Sequence, residues 1–212
     1  MTMLKRVLIV VAAVAVVFAT AATTLDFSLA RTTTNETGGG GVASAQNPGA
    51  RRVCPSNRVF LHVEDREGLG GVLAWELRLR LQETCGFTVT LLNNAPGPDD
   101  FPLVLAGVRK DEGFWTPFYA RRTVTALMKF SSHTSEFALD EKAGVDAGGA
   151  GPPGIVPVVV AANSTIESAS TGMISLPAHR KAVFGDAVRR FAETLKRTIE
   201  AAEINAEQGA AP

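Results

Sequence analysis

Cysteine, histidine and tyrosine are all scarce in this chain of 212 residues, at two, three and one. The first two scarcities bear on metal chemistry. Cys54 and Cys85 lack the CxxC spacing of a structural zinc site, and His62, His133 and His179 are scattered, so no zinc constellation is legible. Charge of one sign is also missing, since Lys+Arg and Asp+Glu are equal at 21 each. That balance excludes the bulk attraction to nucleic acid or to an anionic surface that a basic chain would have. Aromatics do not alternate with basic residues as on a single-strand platform, so no nucleic-acid partner is expected. A dinucleotide fingerprint would need glycine where Leu73 stands, and neither a Walker lysine–threonine pair nor a GxSxG elbow occurs. No cofactor is expected.

What is present begins with a leader. Lys5-Arg6 precede an unbroken apolar run from Val7 to Ala19, and the uncharged stretch continues through threonines to Leu25. A cleaved signal peptide would use a small-x-small site such as Ala19-Thr-Ala21. An uncleaved anchor needs about 18–20 apolar residues, which Val7 to Leu25 just reaches. A buried cytosolic helix is the third reading. The first two place the remainder outside the cytoplasm, because the positive charges stay inside. The expected localisation is therefore exported, periplasmic or on the extracytoplasmic face of a membrane, with the N-terminus anchored or cleaved.

The expected organisation is a signal peptide or anchor over 1–25, a flexible linker over 26–52, an α+β domain over 53–204 and a disordered tail over 205–212. The linker reading rests on Gly38 to Gly41 and on many Thr and Ser with little to bury. Asn35 and Asn163 open N-glycosylation patterns, which matter only in a eukaryotic secretory route. Within the domain, Arg58 to Val63 reads as a strand. Leu69, Leu73, Leu77 and Leu81 recur at helical spacing, with Val72, Trp75 and Leu79 as a second stripe. That second stripe either packs on a neighbour or leaves Trp75 open to a partner. Glu76 and Arg80 are spaced for an ion pair. Gly86 suits a helix C-cap, and Phe87 to Leu91 alternates as a strand.

Leu103 to Val108 predicts another strand, Lys110 to Gly113 a hairpin turn, and Arg121 to Phe130 a long alternating strand. Lys142 to Gly154 is a Gly/Ala/Pro insert expected to be mobile. Ile155 to Ile174 holds one strand or a bent pair, and Phe184, Val188, Phe191, Leu195, Ile199 and Ala202 make one helical stripe. The order β-α-β-β-β-β-α predicts a two-layer α+β fold: a mostly antiparallel sheet of four to five strands with two helices on one face.

That topology returns the end of the first helix to the start of the first strand, bringing Cys54 toward Cys85. In an oxidising compartment the expectation is a Cys54–Cys85 disulfide, closing a loop that contributes roughly 3 kcal/mol in the chain-entropy model. Two reduced, unrelated thiols are the alternative.

Chemistry has one candidate site. Gly68-Leu-Gly70-Gly71 at a helix start would present N–H groups to an anion, and Glu64, Asp65, Asp99 and Asp100 at strand ends would bind Mg²⁺ or Mn²⁺ if their strands are parallel neighbours. This supports a metal-dependent hydrolase or transferase as the alternative function. Solvated acids and a structural helix start are the plainer account. Ser131-Ser132-His133 supplies nucleophile and imidazole types, but neighbours on a strand point to opposite faces. The densest aromatic cluster is Phe114, Trp115, Phe118 and Tyr119, followed by Arg121 and Arg122. With Trp75 these form a candidate mixed aromatic–basic contact surface, against the duller reading of hairpin packing.

The exported leader, the linker, the leucine-rich helix ending "ETCGFTV", the "DDFPLVLAGV" and "ARRTVTALMKF" strands and the amphipathic C-terminal helix are similar in layout to small bacterial envelope lipoproteins. The nearest in layout is the LPS-assembly outer-membrane lipoprotein family. The resemblance covers about residues 58–203 and implies a non-enzymatic accessory of envelope assembly, whose partner is an envelope protein or a lipid or glycolipid ligand. The sequence departs from that family at the leader's end, where no cysteine stands for lipid attachment. Cys54 lies beyond the linker and follows Arg51-Arg52-Val53.

Overall fold

The computed structural model describes residues 3–44, 57–97, 99–132 and 158–209. Along the chain these form α1 (Met3–Thr24), β1 (Arg31–Ser44), β2 (Arg58–Val63), α2 (Leu69–Cys85), β3 (Thr88–Leu91), β4 (Leu103–Trp115), β5 (Tyr119–Ser131), β6 (Val158–Thr171) and α3 (Leu176–Gly209). The strands make one sheet in the order β1-β6-β5-β4-β2-β3. Pairing of β2 with both β3 and β4 is parallel, and the other pairs are antiparallel.

The expected fold class is corrected on two counts: the sheet has six strands and is mixed, and there are three helices rather than two. Parallel pairing follows from the crossovers. α2 carries the chain from the end of β2 back to the start of β3, and residues 92–102 return it again to the start of β4. The extra strand is β1, formed within residues expected to be a flexible tether. Its first half is threonine-rich, and β-branched residues favour extended backbone. Gly38 is needed for close approach, since a Cβ there would lie 2.2 Å from the Asn163 carbonyl oxygen. The glycine run that reads as slack is therefore compatible with a tightly laid edge strand.

The hairpin turn is also displaced. β4 runs through Lys110 to Gly113 and ends at Trp115. The chain reverses at residues 116–118, where Pro117 interrupts the ladder and the Thr116 hydroxyl and N–H both donate to the Tyr119 carbonyl at 2.7 and 2.8 Å.

α2 and α3 cover one face of the sheet. Leu73, Leu77 and Leu81 of α2 meet Val104, Ala106 and Val124 of the sheet, and Phe184, Val188 and Leu195 of α3 complete the same core. Each fully buried Val, Leu or Phe among these contributes about 1.5–3 kcal/mol. Gly86 ends α2 in the left-handed region, as its place after the last leucine suggests. α3 starts at a buried serine. Ser175 accepts the Ala178 N–H on Oγ at 3.3 Å, and Pro177 sits in the first turn, where its missing N–H is harmless. Arg80 donates to Glu83 at 2.8 Å, a different partner from the Glu76 that spacing suggests.

Candidate functional site

The acidic candidates do not assemble. Glu64 follows β2, and its N–H donates to the Ala106 carbonyl well inside β4. Asp99 and Asp100 precede β4, before Pro102, whose carbonyl accepts the Phe60 N–H. From Pro102 to Ala106 alone the strand covers about 13 Å. Glu64 is instead 3.0 Å from Arg109, Asp65 Oδ1 accepts the Glu67 N–H, and Asp100 Oδ2 accepts the Gly97 N–H at 2.8 Å. No group of three metal-ligating side chains occurs among the described residues. The condition for the metal reading, both acidic pairs at one edge, is thus not met. The glycines before α2 have a backbone role: a Cβ on Gly70 would fall 1.8 Å from the Asp65 carbonyl oxygen. That answers the choice between an anion cradle and a structural helix start in favour of the second.

Cys85 carries a free thiol, with Sγ 3.5 Å from the Ala192 carbonyl, and burial pushes it up to about 11. Its expected partner Cys54 lies outside the described residues, as do His133 and the insert Lys142 to Gly154. Ser132 is buried, and its Oγ accepts the Val158 N–H at 2.8 Å.

The seven residues of the aromatic–basic surface separate into three groups. Trp75 projects from α2 with 57% of its surface exposed, whereas Val72 of the same stripe packs against the core and Leu79 is half-buried. It stands alone. α2 begins level with Ala106 and runs back toward the start of β2, whereas Trp115 lies nine residues beyond Ala106 in the opposite direction, roughly 30 Å away. Trp115 and Arg122 are structural: the Trp115 indole donates to the Ile174 carbonyl at 3.1 Å, and Arg122 donates to both Asp111 oxygens at 2.9 and 3.0 Å. Phe114, Phe118, Tyr119 and Arg121 remain together and exposed at the hairpin tip. Phe118 is 60% exposed and Phe114 53%, with the Phe114 and Tyr119 rings 5.4 Å apart.

Three chain segments meet at this tip. Backbone N–H groups of Gly172 and Ile174, between β6 and α3, donate to the carbonyls of Phe118 and Pro117 at 3.0 Å. The segment leaving α1 joins the same knot. Leu29 N–H donates to the Met173 carbonyl at 2.7 Å, Ser28 bridges Ile174, and Phe27 exchanges bonds with Ser175, donating to Oγ and accepting its N–H, both at 3.0 Å. Asp26 pairs with Lys181. α1 itself touches the tip: Phe18 stacks on Phe118 with ring centres 6.0 Å apart and planes 18° apart, and Ala22 is fully buried. Val7–Thr24 is long and apolar enough to cross a membrane and only 6% of it is buried. This N-terminal helix has the properties of a signal sequence or an anchor. Phe18, Leu25, Leu29 and Ser175 are members of the site that sequence reasoning did not reach. A helix run gives no hint of which ring will meet a strand turn a hundred residues later.

Next to this knot His179 is fully buried in α3, with Nδ1 3.3 Å from Ser170 Oγ, which in turn lies 2.9 Å from Thr32 Oγ1. Burial, aided by the nearby Arg122 charge, lowers the imidazole to about 4.

No family model matches the chain, and no curated protein matches it. Among solved structures it is similar to the PelC dodecamer from Paraburkholderia phytofirmans, at 11% identity and TM-score 0.34, covering 72% of this chain and 97% of that one. A single-residue variant of the same protein gives 10% identity with the same coverage and TM-score. A likeness of this size carries neither fold nor function across.

Proposed function

We propose that the chain is an exported ectodomain held at a membrane by α1, acting by binding as an accessory factor in cell-envelope assembly. The observation that carries the tether is the knot at residues 25–30. A leader destined for removal has no need of a buried Ala22, a ring stacked on the domain and three hydrogen bonds from the backbone immediately behind it to the domain. Lys5 and Arg6 keep the N-terminus on the cytoplasmic side, which puts the sheet outside. The role in assembly rests on the resemblance in sequence layout to the LPS-assembly lipoproteins. The contact surface is the exposed tip of Phe114, Phe118, Tyr119 and Arg121, and its ligand is an envelope protein or a lipid or glycolipid.

Alkaline extraction of native membranes, with the mass of the mature chain, tests the tether. Retention in the pellet with residues 1–24 intact is expected, and a soluble chain starting after Ala21 overturns it. The surface is tested by capture from those membranes. Phe114→Ala with Arg121→Ala should lower partner recovery without moving the unfolding midpoint, and unchanged recovery removes the assignment.

A further inference from the structure

Register places the exposed side chains of the tip more sharply than their order along the chain does. Phe114 faces Arg121 across the β4–β5 ladder, and Arg31, Thr171 and Tyr119 form one cross-sheet row over β1, β6 and β5. Residues directly opposite, and those two apart on one strand, share a face. Phe114, Tyr119, Arg121 and Arg31 therefore lie on one face at one end of the sheet. It is the face away from α2 and α3, because Val124 of the same strand, three residues from Arg121, belongs to the helix-covered core. Phe118, Leu25 and Leu29 extend this end beyond the strands, and Leu29 is 80% exposed. Three acids near this end are engaged, Asp26 with Lys181, Asp111 with Arg122 and Glu112 with Lys110. Glu167, exposed on the same face and diagonal to Arg121, has no ion pair among the described residues. Among the described residues, Arg31 and Arg121 have no ion pair. The end of the domain is apolar with two uncommitted positive charges.

Its depth is set by α1. The 18 residues Val7–Thr24 span about 27 Å, close to the roughly 30 Å of a hydrocarbon core, so Thr24 must sit near the boundary. Phe18 is six residues earlier, about 9 Å along the helix axis. A ring stacked on Phe18 cannot then lie out in bulk water. We propose that the β4–β5 tip is a membrane seat: Phe114, Phe118 and Tyr119, with Leu25 and Leu29, enter the outer headgroup–acyl boundary of the bilayer that α1 spans, while Arg31 and Arg121 meet anionic headgroups. This deepens the binding role by naming the ligand of the tip, and it rests on α1 being retained. The chemistry suits the place. Aromatic side chains collect at the interface, and basic residues beside them reach headgroup phosphates.

The test uses the full chain carrying Phe118→Trp, reconstituted in phosphatidylcholine–phosphatidylglycerol vesicles that contain phosphatidylcholine brominated at shallow or deep acyl positions. The expected result is a loss of the added indole emission, relative to wild type, that is greatest with shallow bromines. Phe114→Trp is carried as a second reporter in case the first disturbs the stack. Emission unchanged by bromolipid in both, with the chain retained after alkaline wash, overturns the seat and leaves the tether standing. A chain that washes off with α1 removed overturns both. A photoreactive phenylalanine analogue at 118 in native membranes should give lipid adducts, and a protein adduct in their place, from a second copy or another chain, also overturns the seat.

Discussion

His179 shows how one buried side chain sets a pH limit. The folded chain holds it neutral at about 4, below the ordinary histidine value of 6.5, so the unfolded chain takes up the proton first as pH falls. Stability from this group is whole above the unfolded value and drains as pH drops from there toward the folded one, by about 2 kcal/mol between pH 7 and pH 5. Denaturant melts at the two pH values should show that loss in wild type and a smaller one in His179→Gln. Ser175 is the second telling residue, because one hydroxyl caps α3 and receives the Phe27 N–H. Ser175→Ala should cost about 1–2 kcal/mol in a chemical melt and speed amide exchange at Phe27. Neither residue announces itself in sequence. A lone histidine at a helix start and a serine before proline are ordinary, and only the neighbours supplied by β6 and residues 25–30 give them weight.

At the level of elements, the long β4 keeps the acidic pairs apart. Mg²⁺ or Mn²⁺ should leave the thermal midpoint unmoved, and Asp99→Ala with Asp100→Ala should not alter that result. A polar side chain of β1 reaches the helix layer directly. Glu36 accepts from Ser164 Oγ at 2.7 Å and lies 3.1 Å from Arg190 of α3. Removing it leaves a buried hydroxyl unpaired, so Glu36→Ala should destabilise β1 by about 1–3 kcal/mol. Faster exchange confined to residues 31–37, with the β4–β5 ladder unaffected, would be its signature. Helical leucine spacing and the alternation of β5 were readable because packing on a core imposes a period on the chain. β1 was hidden because an edge strand can be built on threonine and glycine, whose pattern is also that of a tether. The turn at 116–118 was masked by Gly113, a turn-type residue that here stands inside a strand.

For the whole molecule, the helices α2 and α3 and the alternation of β5 follow from hydrophobic period, whereas the parallel pairing of β2 with both β3 and β4 runs against the expected mostly antiparallel sheet. The tip does not follow from period either, since it gathers segments near residues 27, 118 and 174 whose meeting depends on the complete sheet. A chain started at Leu25 would lose Phe18 from its stack on Phe118 and uncover the surroundings of Ala22. It should associate in sedimentation velocity and disperse on adding mild detergent, whereas a monodisperse, detergent-indifferent species would speak against an apolar tip. The route from Thr24 to Phe27 is only three residues long and ends in paired bonds with Ser175. Such a joint has no slack. A pull on α2 near Trp75 is passed on as torque to the rod behind Phe18, so whatever grips the far side of the domain tilts or rotates that rod instead of merely swinging a bead on a string.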